Sequence, residues 1–189
     1  GSKQDGLFRL ERTGENRFKI RQFTHQKDDP YSLSYNSIYT IFQDSKNRIW
    51  VGCYGGGLNL IEETQEGNIR FLHSGNKLTG YSKDRFAKVR YITEANQVLL
   101  VGTTEGLLTF SSEFTQPEQI EFYRNIRIPD KVSSLCSNDV IYIYTDSRKD
   151  TYVLSFTGGL NKILSENLLS NEIEFKTYTT QNGLPSDLV

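Results

Sequence analysis

The chain has 189 residues, with 22 Lys+Arg against 23 Asp+Glu and a formal net charge of −1. That length suits one ordinary domain, and the balanced charge argues against a protein that tracks nucleic-acid phosphates with a basic face. Hydrophobic residues make up 36%, including 11 Tyr and 11 Phe, which is enough for a core and favours strands.

Read in chain order, the sequence alternates short apolar runs with turn residues. It opens partway through a unit. Leu7 to Leu10 follows Gly6, and Ile20 to Phe23 comes next. A linker holding Asp28-Asp29-Pro30 leads to Ile38-Tyr39-Thr40-Ile41-Phe42. The polar cluster Asp44-Ser45-Lys46-Asn47 then precedes Arg48 to Gly52, as expected for a hairpin loop. Gly55-Gly56-Gly57 permits a tight turn into Leu58 to Ile61, and Ile69 to Leu72 completes the set. The next linker spans residues 76–84. The runs Val89 to Ile92, Val98 to Gly102, Leu107 to Phe110 and Ile120 to Tyr123 repeat the order, and so do Val140 to Tyr144, Thr151 to Ser155, Leu160 to Leu164 and Ile173 to Tyr178. No proline interrupts a predicted strand, as ladder chemistry requires. No amphipathic helix and no low-complexity segment is visible.

The recurrence is regular. Gly6-Leu7, Gly57-Leu58, Gly106-Leu107 and Gly159-Leu160 lie 51, 49 and 53 residues apart. Asp44 to Val51 and Gly56 to Asn59 reappear, displaced by 102, as Asp146 to Val153 and Gly158 to Asn161. Four antiparallel strands recurring at this spacing predict an all-β fold, a β-propeller fragment of about three complete four-stranded blades plus parts of two more. A β-sandwich with chance self-similarity does not explain coincident positions at fixed offsets. The repeats divide roughly as 1–32 (partial), 33–82, 83–134, 135–185 and 186–189, the start of another. Such an open fan would leave blade faces bare, so other blades or another chain should cover them. Trp50 is expected between neighbouring blades.

The segments Leu33-Ser34-Tyr35-Asn36-Ser37-Ile38, Asp44 to Gly52 and Gly55-Gly56-Gly57-Leu58-Asn59-Leu60 resemble the two-component regulator propeller repeat. Cys136-Ser137-Asn138-Asp139-Val140 through Asp146 to Asn161 resembles it almost as well, as does Gly183-Leu184-Pro185-Ser186-Asp187. The second blade departs from it: Leu100 replaces Trp50 and Tyr152, and Phe86 to Thr93 does not align cleanly with Ile38 to Gln43. The resemblance implies the periplasmic sensor region of a Bacteroidetes-type hybrid histidine kinase, with kinase modules elsewhere in the parent. It further implies sensing of oligosaccharides to control glycan-utilisation genes, a homodimeric parent, and membrane attachment only through the parent's transmembrane helix.

Other observations bear on that expectation. No stretch approaches the ~20 apolar residues of a membrane span, and no signal peptide is visible. Gly1-Ser2 reads as a cloning remnant and the chain as part of something longer, so a missing targeting signal says nothing about the parent. Cys53 and Cys136 occupy unequal points of their repeats and are not expected to pair; two free thiols suit a reducing compartment without excluding the periplasm.

Catalytic chemistry is sparse. His25 and His73 each follow a fourth strand, which suggests equivalent loops, but no three or four ligands converge on either. Asp28-Asp29 and Asp146 to Asp150 could suggest calcium, yet the second cluster matches the hairpin loop at Asp44. The glycines at 55–57 lie between strands, the wrong context for a phosphate loop. No metal, no cofactor, no nucleic acid and no enzymatic activity are therefore expected. Sugars need aromatic faces and planar polar partners, and loops leading to the innermost strands offer Tyr31, Tyr35, Asn36, Tyr81, Lys83, Arg85 and Asn138. Lys83 and Arg85 would suit an acidic sugar. Asn36 and Asn138 could equally brace turns. The rival readings are a protein-binding scaffold and a propeller polysaccharide lyase, the latter disfavoured by the scarcity of histidine.

Overall fold

The computed structural model describes residues 1–187; Leu188 and Val189, where a further repeat was expected to start, lie outside the described residues. β1 (Leu7–Gly14) and β2 (Arg17–Phe23) pair as a two-stranded antiparallel sheet. Three four-stranded antiparallel sheets follow in simple order. The first contains β3 (Ile38–Gln43), β4 (Ile49–Cys53), β5 (Gly57–Glu63) and β6 (Ile69–Leu72). The second contains β7 (Val89–Ala95), β8 (Val98–Thr103), β9 (Gly106–Ser111) and β10 (Tyr123–Asn125), and the third β11 (Val140–Thr145), β12 (Thr151–Ser155), β13 (Gly159–Ile163) and β14 (Phe175–Tyr178). These are the predicted blades, preceded by the outer half of one. Among the described residues, helix is confined to α1 (Lys83–Phe86) and two 3-10 turns at Pro117–Gln119 and Thr180–Asn182.

Two local expectations change. The first strand of the second blade does align with its neighbours. Ile38↔Cys53, Val89↔Thr103 and Val140↔Ser155 are equivalent pairs, each followed by the same one-residue bulge. Phe86 belongs to α1, which hides this register in the sequence. The fourth strand of that blade begins at Tyr123 rather than Ile120, because Pro117 opens a 3-10 turn whose end Ile120 caps.

The first two complete blades are apolar on both faces, while the outer face of the third carries Lys162 and Lys176 beside Tyr152; the core lies between blades. Trp50, Leu58, Leu60 and Leu72 on one face of the first blade meet Ile92, Leu99, Val101, Leu108 and Phe110 of the second. Leu100 and Leu107, on the other face of the second blade, meet Ile143, Val153, Ile163 and Phe175 of the third. Trp50 is fully buried, edge-on to Phe110 at 5.1 Å and to Phe114 at 6.1 Å. Tyr152, at the matching position of the third blade, is half-buried on its outer face beside Lys162. Gly52 is needed for this approach: a Cβ there would lie 2.5 Å from both Thr40 Cγ2 and Val89 Cγ1.

The hairpin loops lock the blades together. Buried Asp44 accepts from Trp50 Nε1 (2.8 Å) and Arg48 Nε (2.7 Å) with one oxygen, and from the N–H groups of Lys46 and Arg48 with the other. Arg48 then reaches the second blade, donating to the Ser112 carbonyl (2.7 Å) and lying over Phe114 at 3.9 Å. Ser45 donates its N–H and hydroxyl to Glu94 of the same neighbour. Asp146, at the matching position, likewise accepts from the N–H groups of Arg148 and Asp150, the turn role expected for it. Trp50→Ala should cost about 3–5 kcal/mol, the range for a buried aromatic; urea unfolding checks it, and a change below about 1 kcal/mol would contradict the packing described.

Candidate functional site

Each blade is approached by a long lead-in loop before its innermost strand, and these loops gather on one face. Two devices hold them. The first is a buried asparagine. Asn59 on β5 accepts from Ser34 N–H (3.0 Å) and donates to Ser34 Oγ (2.7 Å); Asn161 on β13 accepts from Cys136 N–H (3.0 Å) and donates to the Cys136 sulfur (3.0 Å). Both asparagines are fully buried. The second blade has Leu108 at this position, and its loop instead forms α1, with Tyr81 and Phe86 turned into the core.

The second device joins successive blades. Asn36 Oδ1 accepts from His25 N–H (2.6 Å), Asn138 Oδ1 from Arg127 N–H (2.7 Å) and Asp187 Oδ1 from Thr180 N–H (2.6 Å). The N–H groups of Gly6 and Gly159 donate to the carbonyls of Asn36 and Asp187. Gly57 does the same to Ala87 in the second blade.

These loops form two clefts that are copies of each other. The first, about 470 Å³, is lined by Lys3, Gln4, His25, Tyr35, Asn36, Ser37 and Tyr54. The second, about 540 Å³, is lined by Thr104, Arg127, Cys136, Ser137, Asn138, Asp139 and Thr157. A displacement of 102 carries His25, Tyr35, Asn36 and Ser37 onto Arg127, Ser137, Asn138 and Asp139. A cationic or titratable side chain thus sits at the same point of both clefts, on the residue whose N–H the asparagine fixes. The first cleft has aromatic walls. Tyr54 stacks on Tyr39 with centroids 4.6 Å apart, and Lys3, Lys88 and Arg90 lie 5.4–5.8 Å from one or other ring. No carboxylate lines it. In the second, Asp139 is held by the Arg90 guanidinium through two contacts of 2.5 and 2.8 Å.

The predicted site residues divide accordingly. Tyr35 and Asn36 line the first cleft and Asn138 the second; both asparagines also brace their loops. Lys83 and Arg85 are exposed on α1. Tyr31 is half-buried near the outer strand, under the Arg70 guanidinium, and lines neither cleft. Tyr81 is not at the surface. It is 3% exposed, its hydroxyl donates to the Phe86 carbonyl (2.6 Å), and burial pushes its phenol well above its ordinary pKa. Arg127, Tyr54 and Lys3 were missed, and His25 was weighed only as a metal ligand; displacing Asn36 by 102 and asking which residues surround both copies would have found His25 and Arg127.

The histidines are not equivalent. The pairings Arg9↔Arg21 and Leu60↔Leu72 place His73 opposite Gln22 in repeat register. His25 faces the Leu33 carbonyl at 2.8 Å, and burial lowers the His73 pKa. Among the described residues no group of three or more His, Cys, Asp and Glu could hold a metal ion, and no helix is long and apolar enough to cross a membrane. Both cysteines are free. Burial pushes the Cys53 thiol from an ordinary 9.0 up to about 11, so this group favours the folded state less as pH rises through that interval.

Stacked antiparallel blades that converge their loops on one face define a propeller-type repeat assembly. Residues 32–55 match the family model of the two-component regulator propeller, a repeat centred on the Leu33 loop and β3–β4. A comparison with curated proteins finds no match. Among solved structures, the chain resembles the extracellular domain of BT3049, described as a hybrid two-component system of B. thetaiotaomicron. The TM-score is 0.54 and the identity 17%, covering 93% of this chain and 20% of that one. The extracellular domain of BT4673 from the same organism, described as a one-component system, gives a TM-score of 0.49 at 17% identity, covering 98% of this chain and 30% of that one. The chain thus spans about a fifth of the length of the first of these structures.

Removing a loop staple should loosen one cleft wall. Asn59→Ala leaves the buried Ser34 N–H without its acceptor, a loss of about 1–3 kcal/mol. Hydrogen exchange at Ser34 and Tyr35 should accelerate while exchange in β11–β14 stays unchanged; equal acceleration in both regions would show that Asn59 is not a local staple.

Proposed function

We propose that this chain is part of the extracytoplasmic ligand-sensing propeller of a hybrid two-component system and is not itself an enzyme. In this reading the sensor lies in the periplasm, reaches the membrane through a transmembrane helix of its parent, works as a homodimer, and binds an oligosaccharide to control glycan-utilisation genes. The observation that carries the ligand-binding part is the pair of repeat-related clefts on the lead-in face. A sugar ring can stack on Tyr35 or Tyr54, while Asn36, Ser37, Ser137 and Asn138 offer planar and hydroxyl partners. The cations Lys3, Lys88 and Arg127 suit carboxylated or sulfated sugars, since charge-assisted bonds are the stronger ones. The regulator-propeller match at residues 32–55 and the likeness to an extracellular two-component domain support the sensor class.

The bare apolar faces favour a second reading, a scaffold that binds protein: Leu10, Phe18 and Ile20 are all more than half exposed on the half-blade. Calorimetry against neutral and acidic oligosaccharides separates the two. Sensor binding should prefer an acidic glycan, weaken with salt, and fall by about thirtyfold or more in Tyr35→Ala or Arg127→Ala, the cost of losing a principal anchor. Unchanged binding in both variants would clear the clefts. No glycan binding, together with tight binding of a protein, would favour the scaffold.

A further inference from the structure

The two clefts are neighbours, and the residues that divide them are cations. At each complete blade the turn after the second strand is tied to the start of the innermost strand. The N–H groups of Tyr54, Thr104 and Phe156 donate to the carbonyls of Ser37 (2.8 Å), Lys88 (3.2 Å) and Asp139 (2.7 Å). Ser37 and Tyr54 line the first cleft, and Thr104 and Asp139 line the second. Lys88 lies between them, because Tyr54 also pairs with it in an antiparallel bridge. Arg90 makes the same crossing with its side chain. Its guanidinium carbon lies 5.5 Å from the Tyr54 ring centroid, and its nitrogens hold Asp139 at 2.5 and 2.8 Å.

The charge along this line is one-sided. Lys88 and Arg127 are exposed, and among the described residues neither is in an ion pair. The one carboxylate that lines either cleft is Asp139, and Arg90 already pairs with it. The fold does not require cations at these points. The strand register puts Ser37 and Asp139 where Lys88 stands, and Tyr39 and Ile141 where Arg90 stands. A chain of net charge −1 thus places positive charge on the strip between two clefts lined by polar groups.

We propose that the two clefts and the strip of Lys88 and Arg90 form one track for a single linear acidic glycan, with one end in each cleft and a carboxylate or sulfate of a middle sugar on Lys88. This rests on the reading of the clefts as glycan sites and adds that they do not act independently. A short ligand fills one cleft. A ligand long enough to reach both makes its second contact intramolecularly, so affinity rises without any new kind of contact. Arg90 keeps the track open to anions by neutralising Asp139, whose free carboxylate would repel them.

The test is calorimetry of the 189-residue chain against two length ladders, oligogalacturonates and heparin oligosaccharides, each from the disaccharide to the decasaccharide. In whichever ladder binds, two disaccharides should bind per chain but only one long oligomer, and the long oligomer at least about a hundredfold more tightly. Lys88→Gln should weaken the long oligomer about tenfold or more, the loss of one charge-assisted contact, and by a larger factor than the disaccharide. Two long oligomers per chain, an affinity that does not rise with length, or equal losses for both lengths in Lys88→Gln would overturn the proposal. In those cases a disaccharide that still binds, and still needs Tyr35, leaves the sensor reading standing. Absence of binding in both ladders would overturn the track and the acidic-glycan reading together.

Discussion

A sheet that is apolar on both faces cannot stand alone in water, and the stacking of the blades follows from that constraint. The usual half-solvated antiparallel sheet alternates apolar and polar residues along each strand. Here β8 is buried at every position from Val98 to Thr103, because one face meets Trp50 and the other meets the third blade. The blades are therefore coupled mainly to their neighbours, as in other repeat assemblies. Gly52 and Gly102 let the next innermost strand come close: a Cβ at Gly102 would lie 2.8 Å from Val140 Cγ1. The Asp44 hub adds direction. Arg48, Ser45 and Lys46 all reach forward to the second blade, contacting Ser112, Glu94 and Glu113.

Because the same constraint acts in each unit, the architecture was legible in the sequence. Buried positions had to recur at the repeat spacing, and the Gly-Leu pairs recorded it. What escaped was local. α1 interrupts the periodic pattern at the point where Leu108 replaces the stapling asparagine, so the register of β7 looked broken although its pairing is regular. Pro117 delays β10 in a comparable way. Neither change disturbs the inter-blade core, and therefore neither alters the period.

The candidate site was less legible, for a physical reason. Loop residues face water and are not constrained by the core, so their identities differ between repeats while their positions do not. Tyr35 and Ser137 occupy one place, His25 and Arg127 another. Searching by residue type selected Tyr81, which lies near the clefts in sequence but packs among Phe86, Phe110 and Phe122. Only the invariant backbone work of Asn36 and Asn138, fixing one N–H eleven residues earlier, marks the site in both repeats.

The two clefts differ in what fixes their walls. Arg127, Asn138 and Asp139 stand between two complete blades, and the Arg90 guanidinium ties Asp139 to the second. In the first cleft, Lys3 and Gln4 precede β1, and the Gly6 N–H bonds the Asn36 carbonyl, while Ser2 accepts from Ile38 N–H. One wall of that cleft is thus carried by the half-blade, whose inner edge is unpaired. A strand edge left open is the least constrained part of a sheet, and local opening is drawn from regions with few buried apolar contacts. The position of β1 therefore governs the spacing of Lys3 from Tyr35 and Tyr54.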